Sequence, residues 1–209
     1  MSNDCGDCQR TEIVEDACCE CITNNYNRHI PGIGMKLHLG CGKRFIPGYK
    51  HIDVVEFPHV DIISGVDRLP MIEDNSCDVV YSCHVLEHFH KKLIVDILKE
   101  WLRVLKPGGT LRIAVPDMQS LFRVYEKTGD LSLILGPIFG RCNYLYNFHY
   151  TGFDFKTLKS ALELAGATNV RLYDWRQTEH ADVDDYSQAY IPQDKKNGIL
   201  ISLNVEATK

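Results

Sequence analysis

From Lys36 onward, apolar positions alternate between period-two or continuous runs and helix-spaced runs, the pattern of an α/β layer fold. "KLHLG" reads as a first strand, "YKHIDVV" as a second, and "VDIISG" as a third that Gly65 and Asp67 turn into a loop. "CDVVYS" follows the turn formers Asp74, Asn75 and Ser76 and reads as a fourth. Leu93, Ile94, Ile97, Leu98, Trp101, Leu102 and Leu105 share one face of a helix that stops at "KPGG". "TLRIAVPD" is a fifth strand, ending at Pro116 and Asp117. A helix is expected over residues 155 to 165, with Asp154 as its N-cap and Gly166 just past its end. "NVRLYDW" and "GILISLNVEA" close the pattern as two last strands, separated by a long acidic loop containing "HADVDDY".

Between Asp117 and Asp154 the periodicity breaks into a stretch rich in Tyr and Phe and punctuated by glycines and a proline. A connection of that length is usually functional or disordered, and aromatics oppose disorder. Residues 118–153 are therefore expected to form a partly helical lid over a substrate.

The chain has 209 residues, 44% of them hydrophobic, enough for one well-buried domain, expected over 33–209. Residues 1–32 form an extension holding Cys5, Cys8, Cys18, Cys19 and Cys21. The CxxC pair is compatible with a structural zinc, but CCxC is not a standard ligand knuckle. Cys41, Cys77, Cys83 and Cys142 sit singly in core-like segments and are expected to be reduced thiols. A net charge of −5 with scattered Lys and Arg shows no nucleic-acid footprint. No apolar run approaches a membrane span, and the first thirty residues are unlike a secretory signal, so a cytoplasmic protein without membrane partners is expected.

In an open parallel sheet, ligands sit at the carboxyl ends of the strands near the point where strand order reverses. "GCG" at 40–42, Asp53, and the end of the fourth strand at Cys83 and His84 converge there. A dinucleotide site wants G-x-G-x-x-G and an acidic residue about 20 positions on. Here Phe45 occupies the third glycine position and Asp53 comes too early. S-adenosylmethionine (SAM) fits better, having a ribose for an acidic residue to grip and no pyrophosphate. A GxG pair in isolation is equally a plain tight turn.

The order of glycine turn, acidic strand end, "LPMIEDNSCDVVYS", "VLEH", "RVLKPGGTLRIAVPD" and a final strand after a long loop resembles the class I SAM-dependent methyltransferases, and among them the small group linked to polysaccharide and glycan synthesis. The resemblance covers about residues 36 to 175 and leaves the cysteine extension unmatched. It implies a Rossmann-like sandwich on a seven-stranded, mostly parallel sheet, with the antiparallel last strand inserted beside the fifth. It also implies SAM as donor and S-adenosylhomocysteine as product. Leu39, Gly40, Cys41 and Gly42 would approach the methionyl part, and Asp53, with Val54 beside it, would take the ribose hydroxyls. Gly65, Val66, Asp67 and Arg68 would meet adenine, although many relatives carry an acidic residue where Gly65 stands. Cys83 and His84 would border the methionine. The short first crossover, "KRFIPGY", departs from the larger superfamily.

Methyl transfer to an alcohol needs alignment, exclusion of water, and a base for the hydroxyl proton. His149, at the end of the lid, is the leading base, as the resemblance implies; His84, His88 and Asp117 are the further catalytic candidates. His84 and His88 are spaced to share a helical face, where they could equally bind metal or cap the helix. His38 reads as a satisfied sheet residue; His51 and His59 stand at strand or loop edges, and His180 in solvent. Tyr144, Tyr146, Phe148 and Tyr150 offer stacking faces for a sugar ring or serve as lid core. Some similar sugar methyltransferases hold a divalent ion. The "HADVDDY" carboxylates could do so, against the plainer reading of a solvated loop, and no metal ligand is assigned. The expected activity is O-methylation of a sugar in a glycan or its precursor. Another small acceptor, or a non-catalytic partner of a glycosyltransferase, is the alternative, and a homodimer is compatible with either.

Overall fold

The computed structural model describes residues 34–209. The cysteine extension assigned to 1–32 lies outside these residues. Seven strands form the main sheet in the order β3-β2-β1-β4-β5-β9-β6. They are β1 Met35–Leu39, β2 Lys50–Asp53, β3 Ile62–Ile63, β4 Cys77–Cys83, β5 Leu105–Pro116, β6 Thr168–Leu172 and β9 Ser202–Thr208. The first five pair in parallel, whereas β9 runs antiparallel between β5 and β6. This is the expected Rossmann-like methyltransferase sheet, and strand order reverses beside β1, where the carboxyl ends of β1 and β4 open a crevice.

Side-chain alternation sorts the sheet residues between two faces. Leu37, Leu39, Val80, Leu111, Ile113 and Val115 join a core with helix α1, Ile94–Val104, which buries Ile97, Leu98, Trp101 and Leu102. The later helix Phe155–Ala165 adds Leu158 and Leu162 to the same core. It starts on the expected cap: Asp154 accepts from the Thr157 amide, and Thr157 Oγ1 accepts from the Asp154 amide. It ends at Gly166 in the left-handed region, φ 104°.

The opposite face is built differently. Between β1 and β2 the chain makes only turns, so no crossover helix covers that face. Ile46 and Tyr49 from the turn pack on Tyr81, Cys83 and Ala114, together with Val183 from the acidic loop. The loop is thus not the solvated segment its charge suggests. His180, Asp185, Ser187 and Gln188 are buried, and Asp185 accepts from the Tyr81 hydroxyl at 2.5 Å and from the Ser187 amide at 2.9 Å. The missing helix leaves apolar sheet surface that the loop covers; Asp185, Ser187 and Gln188 are hydrogen-bonded in place, whereas neither ring nitrogen of the buried His180 has a partner.

Two strand expectations also shift. "KPGG" ends α1 but already lies in β5, because Leu105 pairs with Cys77 across a register shift. "GILISLNVEA" splits at Ile201, whose amide donates to Ala189 and whose carbonyl accepts from Asp117. Ile199–Leu200 (β8) therefore pairs with Tyr190–Ile191 (β7) in a separate ribbon. The lid is partly helical as expected, with α2 Met118–Thr128 and α3 Ser132–Phe139 preceding the Phe155–Ala165 helix, α4. Asp117 and Phe153 bridge at its neck, so both ends of the 118–153 excursion are pinned at one point.

Candidate active site

The glycine turn and the acidic strand end meet. Gly40 donates its amide to Ile52 at 2.7 Å, and the Gly42 amide donates to Asp53 Oδ2 at 2.7 Å, while Asp53 Oδ1 takes the Val55 amide at 2.8 Å. Gly40 is in the left-handed region, φ 64°, and a Cβ there would come within 2.3 Å of Val85 Cγ2. Glycine is required by conformation and by space. The turn thus brings bare backbone against the first residues after β4.

The other expected cofactor residues divide. Leu39 is fully buried core, so it offers only backbone. Cys41 is buried with its Sγ 3.7 Å from His59 Nε2; burial, then the Asp53 charge, push its thiol up to about 12, which makes it a packing residue and not a nucleophile. Val54 is exposed beside Asp53. The Val66 side chain is core and its carbonyl accepts the Trp101 indole N–H at 2.7 Å, so like Leu39 it offers only backbone, here its amide. Asp67 and Arg68 are exposed, and the Asp67 carboxylate leans over Gly65, at 2.8 Å from where a Cβ would stand. Cys83 is buried under the 175–188 loop, and burial raises its thiol.

His84 follows β4 in the left-handed region, φ 54°, a conformation that costs a non-glycine residue about 1–2 kcal/mol. Its partners explain the retention. Asn204 donates Nδ2–H to the Ser187 carbonyl at 2.9 Å, so its Oδ1 accepts from Ser202 Oγ at 2.9 Å. Ser202 Oγ then accepts from His84 Nε2, 3.2 Å away, which leaves the lone pair on His84 Nδ1, 3.5 Å from Glu87 Oε1.

His149 Nδ1 lies 2.8 Å from the Pro137 carbonyl and His88 Nδ1 lies 3.0 Å from the Phe148 carbonyl. A carbonyl only accepts, so both histidines carry their proton on Nδ1 and their lone pair on Nε2. His149 Nε2 is 3.9 Å from Glu87 Oε1, and the His88 and His149 rings meet edge to face at 4.7 Å. Glu87 is 1% exposed, and neither carboxylate oxygen has a hydrogen-bond partner. Burial pushes Glu87 up to about 8; burial, followed by His88, brings His149 down to about 4. Burial likewise lowers His84 and His88.

Three of the four expected catalytic residues are therefore brought together, and the fourth is not. Asp117 caps α2, its oxygens accepting from the Gln119 amide at 3.1 Å and Ser120 Oγ at 2.6 Å. The group that orients His149 is the Pro137 carbonyl. His84 and His88 do not share a helical face as spaced; a 3-10 turn, Leu86–His88, carries His88 and Glu87 back toward His84. Sequence reasoning missed Glu87, although "HVLEH" places it three residues after His84 and next to His88. The buried environment that makes it unusual comes from the lid: Tyr150 and Thr151 donate to its carbonyl at 2.8 and 3.2 Å.

The lid ends beside Glu87, whose carbonyl takes the Tyr150 and Thr151 amides. Tyr144, Tyr146, Phe148 and Tyr150 are all exposed, which removes the reading that they are lid core. Partial burial, then the Asp53 charge and Tyr186, raise the Tyr144 hydroxyl. Tyr186 from the 175–188 loop lies 5.3 Å from the His84 ring, and the Arg44 guanidinium 5.9 Å from the Tyr186 ring. In "HADVDDY", Asp182 and Asp184 are exposed and Asp185 is locked to Tyr81 and Ser187, so these carboxylates do not converge on one ion.

Comparison with known proteins agrees with this geometry. The model of a methyltransferase domain family matches residues 48–113, from β2 into β5. No curated protein matches the sequence. Among solved structures, a SAM-dependent methyltransferase of Archaeoglobus fulgidus superposes with a TM-score of 0.53 at 18% identity, covering 91% of this chain and 94% of that one. One from Thermotoga maritima gives 0.51 at 18% identity, covering 84% and 82%. The 1,6-didemethyltoxoflavin-N1-methyltransferase of Burkholderia thailandensis, with its substrate and S-adenosylhomocysteine bound, gives 0.52 at 17% identity, covering 84% and 71%. At these identities the likeness is one of fold.

Proposed function

We propose that this enzyme, a SAM-dependent methyltransferase, methylates a hydroxyl of a sugar in a glycan or glycan precursor. The observation that carries the reading is a lone pair on His149 Nε2, fixed by the Pro137 carbonyl, in a lid segment that exposes Tyr144, Tyr146, Phe148 and Tyr150. An alcohol must lose its proton as it attacks, and a neutral imidazole near the donor supplies the acceptor for it. Burial keeps His149 neutral throughout the physiological range. Sugars offer C–H faces that stack on Tyr144, Tyr146, Phe148 and Tyr150, with hydroxyls free to hydrogen bond.

In the reaction, the acceptor oxygen forms a bond to the methyl carbon as the carbon–sulfur bond breaks. The electron pair of that bond passes to sulfur, giving neutral S-adenosylhomocysteine, and the hydroxyl proton goes to His149 Nε2. Asp53 would release the Gly42 amide to take the ribose hydroxyls, while Gly40 to Gly42 lie against the methionyl chain. With the acceptor bound, the lid and the 175–188 loop would have to exclude water, which is most of what such a displacement asks of a protein.

Calorimetric titration with SAM and S-adenosylhomocysteine, followed by turnover on a panel of monosaccharide and nucleotide-sugar acceptors, tests the reading. Binding weakened at least tenfold by Asp53→Ala, with turnover on a sugar, supports it. Turnover confined to phenols or amines overturns the acceptor, and product binding without turnover on any acceptor favours a non-catalytic partner of a glycosyltransferase.

A further inference from the structure

We infer that Glu87, His88 and His149 form a binding site for one divalent first-row transition ion. Each residue offers a donor atom, and the donor atoms all lie within 4.8 Å of one another. Metal–ligand bonds of about 2.0–2.2 Å to imidazole nitrogen and carboxylate oxygen close such a set around one ion with small side-chain shifts.

Two independent features single out this cluster from an ordinary packing of polar groups. The first is the outer shell. Metal-ligating histidines characteristically donate their other ring N–H to a backbone carbonyl or carboxylate, which fixes the tautomer and aims the free nitrogen. His88 and His149 both do this, through Phe148 and Pro137. The second is Glu87. A carboxylate that is 1% exposed with two unpartnered oxygens is a costly arrangement unless a cation or a proton fills it. The lone pairs of His84 Nδ1 and His149 Nε2 face the same carboxylate, so only a proton or a cation held between them relieves this cluster of acceptors. A cation would engage Glu87, His88 and His149 together.

Two imidazole nitrogens and one carboxylate oxygen suit zinc(II) and neighbouring ions better than magnesium or calcium, which prefer all-oxygen sets. Three protein ligands also leave a position open to an oxygen from solvent or substrate. Here the inference rests on the hydroxyl acceptor proposed above: the acceptor's oxygen takes that position, the ion lowers its pKa, and the proton passes to solvent water. With the ion bound His149 Nε2 is a ligand, and the base role given to it above belongs to the ion-free protein. The carbon–oxygen and carbon–sulfur bond changes are the same. The site itself stands whatever the acceptor is.

The test uses the tag-free 209-residue protein in which Cys5, Cys8, Cys18, Cys19, Cys21 and the exposed Cys142 are replaced by serine, so that these thiolates do not compete. After stripping with a chelator, cobalt(II) is titrated and followed by its visible ligand-field absorption, with zinc(II) as competitor. One equivalent is expected, with at least tenfold weaker uptake in Glu87→Gln and in His149→Ala. Retained SAM binding shows that each variant is folded. In the unsubstituted site, zinc(II) is also expected to shift the imidazole nitrogen-15 signals of His88 and His149 while leaving His38 unmoved, a readout that needs no site variant. No uptake, unchanged uptake in both variants, or unmoved His88 and His149 signals overturns the inference. Metal uptake requires neither SAM nor acceptor, so failure of the sugar reading leaves this result intact, and the reverse holds.

Discussion

At the residue scale, the crevice depends on positions where a single atom decides. Gly40→Ala adds a methyl group within 2.3 Å of Val85 Cγ2 at a left-handed φ, so both the turn and the segment leading to Glu87 must move. A loss of about 1–3 kcal/mol in stability is expected from the backbone term, together with SAM affinity reduced below calorimetric detection. Chemical unfolding and titration check the two halves. Glu179 is a residue of a different kind. Partial burial opposes its ionisation, yet hydrogen bonds from Tyr49, Lys36 and Arg112 prevail and hold its carboxyl well below the usual range. A folded pKa below the unfolded one, about 4.3, contributes stability that is present above that pH and lost as pH falls beneath it. Melting temperature should therefore drop steeply with acid below about pH 4 in the native protein, and less steeply in Glu179→Gln.

At the scale of elements, legibility followed periodicity. The helix α4 was readable to the residue because Asp154 and Gly166 carry their roles in their own chemistry. Asp154→Ala is expected to cost about 0.5–2 kcal/mol and leave SAM affinity unchanged, as denaturation and titration would show. His84, His88 and His149 were readable as candidates, but Glu87 was not. Its significance arises from burial by the lid, sixty residues away in sequence, and no local pattern announces that. Asp117 was open to two readings for the converse reason: a strand-end carboxylate near a crevice is also the natural N-cap of the next helix, and α2 takes both its oxygens. The lid aromatics were ambiguous between core and platform until their exposure was known. Replacing Tyr144 and Tyr146 by alanine should raise the acceptor KM at least tenfold while SAM affinity changes little, since neither ring is buried in the fold. Unchanged acceptor KM would remove the lid from recognition.

At the scale of the whole molecule, the sheet order is that of a Rossmann-like methyltransferase fold, yet one face lacks the crossover helix between β1 and β2. The acidic loop substitutes for it, and composition concealed this because a segment so charged reads as solvated. Its attachment is polar: Tyr81 from the centre of the sheet holds Asp185, Ser202 and Asn204 from β9 hold His84 and Ser187, and Tyr186 then reaches the crevice. One consequence is a coupling between the back of the sheet and the active site. Tyr81→Phe removes a hydroxyl that touches nothing in the crevice, but it leaves the Asp185 Oδ2 acceptor buried without that partner, at a cost of about 1–3 kcal/mol. The cheapest relief is for the loop to lift and hydrate the carboxylate. Hydrogen exchange over residues 180–188 is expected to quicken in this variant, with SAM binding weakened through the displaced Tyr186 wall. Fast exchange with undiminished SAM affinity would show that the loop covers the sheet without shaping the site.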